Sequence, residues 1–175
     1  MQTDLENRIR LRNLAISLLT CVALVILASF YSEPVLRLSV MPDEPPFVVK
    51  RKIKPLTDYL EQKLGMKVEF RPMRSDDALV ESLVVKELDL VWIDGDHLIQ
   101  ARLRSRDGVM PIVERAGDVA PDRAWRWAVR AGLDTDLREK LTDAFLTMNK
   151  DATKGSEFLQ SQHASRYIPA AASAR

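Results

Sequence analysis

The sequence has few of the residues from which enzymes and metal proteins build their sites. Among 175 residues there is one cysteine, Cys21, and there are two histidines, His97 and His163. One cysteine excludes an internal disulfide framework and a cysteine metal cluster. The histidines fall in different predicted elements, and the sequence contains no nucleophile elbow, phosphate-binding loop or metalloprotease motif. We therefore rank an enzyme lowest among the candidate functions, and we expect no cofactor.

The chain also lacks an excess of charge of one sign. Its 26 basic and 25 acidic residues leave a formal net charge of +1. A nucleic-acid-binding protein needs a basic face, so the composition gives no reason to expect nucleic acid as a partner. The hydrophobic content of 46% and the charged content of 29% are typical of a globular protein. The length suits one domain with a short appendage.

Charge is absent from residues 14–31, LAISLLTCVALVILASFY. A helix of this length spans about 27 Å, close to the ~30 Å hydrocarbon core of a bilayer. Arg8, Arg10 and Arg12 precede it, and positive charge stays in the cytoplasm, so the residues after it should lie outside. The positions that signal peptidase would read carry large residues. We expect a retained membrane anchor, with a cleaved signal peptide or lipidation at Cys21 as alternatives.

Between residues 35 and 93 the strand and helix periods alternate. Strands are predicted at 35–41, 67–73 and 88–93, with a helix at 47–64 and a second helix that begins after Ser75. A fourth strand is predicted at 109–114 and a fifth at 124–131, where Trp125 and Trp127 share one face. A β-α-β-α-β run indicates a parallel sheet covered by helices. The two tryptophans are either core residues or a platform for a ligand.

Ligands of parallel sheets bind beyond the carboxyl ends of the strands. Here those ends fall at residues 41–44, 73–76 and 93–97, which are rich in acidic residues. The candidate ligand-binding residues are Asp43, Glu44, Ser75, Asp76, Trp92, Asp94, Asp96 and His97. Several have a structural alternative, because Ser75 and Asp96 can cap helices, Trp92 can be core and His97 can simply begin a helix. The acidic spacing matches no known metal-binding loop, and we predict no metal.

Three stretches resemble the phosphate/phosphite/phosphonate-binding proteins of ABC importers, a type II periplasmic binding-protein family. The first is LRLSVMPDEPPFVVKRKIKPLTDYLEQKLGMKVEF. The second is ALVESLVVKELDLVWIDG, which is similar to the family pattern "alveal..GevDlaWl". The third is AVRAGLDTDLREKLTDAFLTMNKD followed by RYIPA. Together they extend over residues 35–170.

The resemblance implies a two-lobed fold, yet the returning segment follows the fourth strand almost directly, at about 119–123. We therefore expect one lobe. No segment of this sequence matches the family's Ser/Thr-rich helix start, which holds the anion, so that clamp is assigned to no residue. The expected fold is an α/β, single-lobe periplasmic-binding-protein-like sandwich over residues 32–169, with a mostly parallel five-stranded sheet. The first strand should be interior and the fifth antiparallel to the third. Residues 1–31 precede the lobe, and 170–175 form a loose tail.

Two functions agree with these expectations. The first is an extracytoplasmic solute-binding protein that binds a small anionic or zwitterionic, phosphonate-like solute weakly. Its location would be the periplasm, with an inner-membrane anchor and an ABC permease as partner. The alternative is a membrane-anchored sensory or adaptor ectodomain that docks on another membrane protein. An acidic set of strand ends repels a plain phosphate, so an amine on the ligand is expected.

Overall fold

The computed structural model describes residues 34–106, 108–117, 124–148, 154–162 and 164–170. Within them the strands are β1 (Val35–Val40), β2 (Lys67–Phe70), β3 (Leu90–Ile93), β4 (Met110–Arg115), β5 (Arg126–Val129) and β6 (Tyr167–Pro169). The helices are α1 (Pro46–Leu64), α2 (Asp76–Val84), α3 (Gly95–Arg104), α4 (Thr135–Thr147) and α5 (Lys154–Ser161). The chain divides between Pro34 and Val35, and all of these elements belong to the part that begins at Val35.

The strands form one sheet in the order β2-β1-β3-β5-β4-β6. The predictions that β1 is interior and that β5 pairs antiparallel with β3 are confirmed. The prediction of a mostly parallel five-stranded sheet is wrong. The described sheet has six strands and is mixed, because β1 pairs parallel with β2 and β3, whereas the other three pairings are antiparallel. The link from β4 to β5 is too short for a crossover helix, so the two strands pair antiparallel.

Strand β6 was not predicted, because three residues at a sheet edge are too few to show a period. It pairs with β4 through Tyr167, Ile168 and Pro169. The strand places Tyr167 in the core, where the side chain is 3% exposed.

Helices cover both faces of the sheet and make two apolar clusters. On one face α1, α4 and α5 pack over Leu36, Leu38 and Trp127. On the other face α2 and α3 pack over Val91 and Ile93. Alternate residues of the central strands β3 and β5 supply the two clusters, as the period of two requires. The domain is therefore a three-layer α/β/α arrangement.

A buried carboxylate joins three strands at the amino edge of the sheet. Asp89, which immediately precedes β3, is 3% exposed. It accepts hydrogen bonds from the backbone N–H of Arg37 at 2.9 Å and from its Nε at 3.0 Å. The Nε of Arg130, just after β5, donates to it at 2.6 Å. A buried charge of this kind is tolerated because it is both paired and hydrogen-bonded.

None of the helices in the described ranges is both long enough and apolar enough to cross a bilayer. The predicted anchor at 14–31 lies outside the described residues, as do His163 and most of the predicted tail. The anchor stays a prediction.

Candidate functional site

Four strands end at the same edge of the sheet. β1, β2 and β3 are mutually parallel, and β4 has the direction of β3 because both pair antiparallel with β5. The segments after Val40, Phe70, Ile93 and Arg115 therefore all leave the sheet at its carboxyl edge. This is the place at which a ligand of such a sheet is expected.

A pocket of about 370 Å³ lies at this edge, on the face covered by α1 and α5. The exposed side chains of Asp43 and Ser161 belong to its lining, and so do the buried side chains of Trp127 and Phe158. Its volume is within the range of pockets that hold small molecules. The full lining comprises Val40, Met41, Asp43, Glu44, Val49, Lys52, Ile53, Trp92, Arg115, Trp125, Trp127, Phe158, Ser161 and Gln162.

The three tryptophans form a wall of this pocket, called the tryptophan wall below. Trp92 stacks on Trp125, with ring centroids 5.8 Å apart and an interplanar angle of 18°. It also lies 5.3 Å from Trp127, its cross-strand partner in the register of β3 and β5. Trp127 is 1% exposed and continues into the core, where it stacks on Phe145. Trp125 is half-buried, so it belongs both to the core and to the pocket lining, the two alternatives that the sequence left open.

Charged groups of both signs complete the lining. Glu44, in the loop after β1, pairs with Lys52 of α1, with Nζ and Oε2 2.6 Å apart. The half-buried Arg115 ends β4, and its Nη1 donates to the carbonyl oxygen of Gln162 at 3.3 Å. Asp43 is exposed. The two acids and the two bases leave the lining without a net charge, which suits a ligand that carries charges of both signs.

The predicted site residues separate into two groups. Asp43, Glu44 and Trp92 line the pocket. Ser75, Asp76, Asp94, Asp96 and His97 are not part of its lining; they lie at the starts of α2 and α3, the helices of the opposite face. Acidic residues at helix starts are stabilised by the positive end of the helix dipole, so this group has a structural explanation.

Local hydrogen bonds account for most of the second group. The N–H of Ala78 donates to the Ser75 Oγ at 3.2 Å, which confirms Ser75 as a helix cap. The expectation that Asp96 caps α3 is wrong, because Asp94 precedes the helix and accepts from the His97 N–H at 2.9 Å. The Nδ1 of the His97 ring lies 2.9 Å from the same carboxylate. Its Nε2 lies 3.9 Å from Asp76.

Several pocket residues were not predicted as ligand-binding residues. Lys52, Arg115, Ser161 and Gln162 come from three elements that are far apart in sequence, and none belongs to a recognisable motif. The position of Lys52 could have been inferred from the sequence, because it precedes Ile53 and follows Val49 by three residues, and both of these lie on the buried side of α1. No grouping of three or more His, Cys, Asp or Glu side chains that could hold a metal occurs in the described ranges.

A three-layer α/β/α domain with a ligand-sized pocket at the carboxyl edge of its sheet is an architecture of α/β proteins that bind small molecules. Residues 38–125, about half of the chain, match the family described as ABC transporter, phosphonate, periplasmic substrate-binding protein, and the chain belongs to this family. The resemblance seen in the sequence is thereby confirmed.

A curated relative is a probable ABC transporter phosphite-binding protein, PhnD1, from Prochlorococcus marinus (strain MIT 9301). It is 28% identical over 81 residues, which are 46% of this chain and 27% of the relative. The match therefore spans about a quarter of that relative's length.

Two solved structures share the fold. One is PhnD1 from Prochlorococcus marinus (MIT 9301) in complex with methylphosphonate, with a TM-score of 0.71 and 13% identity over 79% of this chain and 93% of that one. The other is a binding-protein component of an ABC phosphonate transporter from Pseudomonas aeruginosa, with a TM-score of 0.71 and 10% identity over 79% and 82% of the two chains.

Proposed function

We propose that this chain is a one-lobed, extracytoplasmic solute-binding domain of the phosphonate-importer type that binds a small amine-bearing phosphonate weakly. The observation that carries the proposal is the pocket of about 370 Å³ at the carboxyl edge of the sheet. Its lining contains carboxylates for an amine and a guanidinium for an anion. Membership of the phosphonate-binding family supports the same ligand class.

The connection between β4 and β5 supports a single lobe. The two strands are antiparallel neighbours, and the family match ends at residue 125, immediately before β5. This is the junction at which the sequence predicts that a second lobe is missing. A pocket lined from one side leaves much of its ligand in water. We therefore expect an affinity no better than roughly millimolar, equivalent to about −4 kcal/mol.

The charges of the pocket favour a ligand that carries an amine as well as an anion. Asp43 and Glu44 repel a phosphate or phosphonate, and the charge of Lys52 is directed to Glu44. Arg115 supplies a guanidinium, whose planar geometry suits phosphonate oxygens. An amine on the ligand offsets the repulsion by the two carboxylates.

Isothermal titration calorimetry tests this proposal with 2-aminoethylphosphonate, methylphosphonate and inorganic phosphate. We expect millimolar binding of the aminophosphonate, with the other two weaker. Arg115→Gln should abolish the signal, whereas Arg51→Gln, at an exposed position of α1 outside the pocket, should leave it unchanged. Micromolar binding of inorganic phosphate, or equal effects of the two substitutions, would contradict the proposal.

The location forms part of the same proposal. Residues 14–31 would anchor the domain in the inner membrane, with the pocket in the periplasm and an ABC permease as partner. A carboxy-terminally tagged chain should remain in the membrane fraction after a carbonate wash. A shortened product in the soluble fraction would show that the segment is cleaved.

A membrane-anchored sensory or adaptor ectodomain is the second candidate. It is favoured by two apolar side chains one turn apart on α3, Ile99 and Leu103, which are 53% and 74% exposed. Contiguous exposed apolar patches are the surfaces on which proteins dock, and these two neighbouring side chains would belong to such a patch. The neighbouring reading frames separate the candidates, because a permease and an ATPase favour the importer, whereas a kinase or cyclase favours the sensor.

A further inference from the structure

The tryptophan wall offers a cation an aromatic surface but few hydrogen-bond acceptors. That surface belongs to Trp125, because Trp92 is 8% exposed and packs against Trp125, Trp127 and Tyr167. Trp92 and Trp125 are stacked at 5.8 Å, and both rings belong to the lining. The face of an indole ring carries negative electrostatic potential, which attracts a positive charge held against it. The ring accepts no conventional hydrogen bond, since the indole N–H is a donor only.

A primary ammonium group gains little from binding against such a wall. It carries three N–H donors and is strongly hydrated, so it needs acceptors when it leaves water. Glu44 is engaged by Lys52 at 2.6 Å, and the carbonyl oxygen of Gln162 accepts from Arg115 at 3.3 Å. Asp43 is the remaining carboxylate of the lining, and its exposed position keeps an amine beside it in water.

A quaternary ammonium has the opposite requirements. It has no N–H donor to satisfy, and its methyl groups gain from burial against apolar rings. Aromatic rings together with a nearby carboxylate are the chemistry by which proteins recognise quaternary ammonium groups. Trp125 and Asp43 bring both features to one pocket, and Arg115 lines the same pocket as the partner for an anionic end.

We infer that the preferred ligand is a short alkylphosphonate whose amine is fully methylated, with the trimethylammonium group against Trp125 and the phosphonate toward Arg115. The inference rests on the proposed function and narrows its ligand class. Cation–π stabilisation at a partly desolvated site corresponds to roughly a tenfold gain in affinity. The trimethylated ligand should exceed the primary amine by about that factor.

The test is calorimetric titration of the full-length protein, in a nonionic detergent, with 2-(trimethylammonio)ethylphosphonate, 2-aminoethylphosphonate and ethylphosphonate. We expect the trimethylated compound to bind about tenfold more tightly than the primary amine. Equal or weaker binding of the trimethylated compound would overturn the inference while the proposed function stands. If neither amine-bearing compound binds better than ethylphosphonate, the proposed function fails, and the inference fails with it.

Two substitutions examine the cause of the preference. Trp125→Leu keeps an apolar side chain but removes the aromatic face, so it should abolish the tenfold preference. Phe47→Leu is the matched control, because Phe47 is an aromatic residue near the start of α1 that is 72% exposed and outside the pocket lining. A preference that survives Trp125→Leu in a protein with an unchanged melting temperature would refute the role of the wall. If Trp125→Leu unfolds the protein, the ligand comparison on the unmutated chain decides.

Discussion

Replacing Asp89 with alanine should destabilise the domain more than removing a carboxylate from its surface. The Asp89 carboxylate is buried between β1 and β5 and accepts hydrogen bonds from Arg37 and Arg130. The alanine side chain accepts none of them. It also leaves two guanidinium groups beside an apolar interior without the charge that balances them.

The size of the effect follows from burial. Removing one partner of a buried ion pair costs about 3–5 kcal/mol. The side chains of Arg37 and Arg130 are 31% and 21% exposed, so both can turn partly toward water after the change. Because water can solvate the two guanidinium groups, we expect the free energy of unfolding to fall by about 3 kcal/mol, near the lower end of the range. Asp89→Asn keeps one oxygen acceptor and should lose less.

Equilibrium unfolding in urea, followed by tryptophan fluorescence, measures the difference. Glu139→Ala is the matched control, because Glu139 is an exposed acid within α4 and alanine is a good helix former. Its effect should stay within about 0.5 kcal/mol. The two variants should share the unfolding slope of the unmutated protein. If Asp89→Ala is no more destabilising than Glu139→Ala, the cluster contributes nothing and the reasoning is refuted.

Three further substitutions test local features by the same unfolding assay. Lys86 has a left-handed backbone, with φ of 67°, so Lys86→Gly should stabilise the domain by about 0.5–1 kcal/mol and Lys86→Ala should not. A Cβ at Gly108 would lie 2.5 Å from the Cβ of Ala131, so Gly108→Ala should destabilise by about 1–3 kcal/mol. Asp94→Ala removes the cap of α3 and should cost about 1 kcal/mol without changing ligand affinity, whereas a loss of binding would return Asp94 to the site.

The strand order near the start of the domain was predictable because short local signals determine it. Each of the first three strands is followed by an amphipathic helix, and such an alternation requires parallel neighbours with right-handed crossovers. The mixed character of the sheet was less accessible. Besides the expected pairing of β5 with β3, it depends on β6, which has three residues, and on the antiparallel pairing of β4 with β5 and β6. The periodicity of hydrophobic residues within a strand does not show which strand it pairs with or in which direction.

The family pattern in the second matching stretch contains one residue of the structural core and one residue of the pocket lining. Its aspartate corresponds to Asp89 and its tryptophan to Trp92; Asp89 lies just before β3, and Trp92 lies near the carboxyl end of that strand. Asp89 joins strands at the amino edge, whereas Trp92 lines the pocket near the carboxyl edge. Lys86 corresponds to the glycine of the pattern, and its left-handed backbone explains why glycine suits that position.

The pocket could be predicted only in part because a sheet edge has two sides. Parallel strands bring their carboxyl ends to one edge, which correctly placed Asp43, Glu44 and Trp92 there. The same rule does not say toward which of the two helical layers a residue turns after its strand ends. Trp92 faces α1 and α5, whereas Asp94, two residues later, has left the sheet and caps a helix of the opposite layer. The face of each residue follows from cross-strand register, such as the pairing of Trp92 with Trp127, and register depends on contacts far apart in sequence.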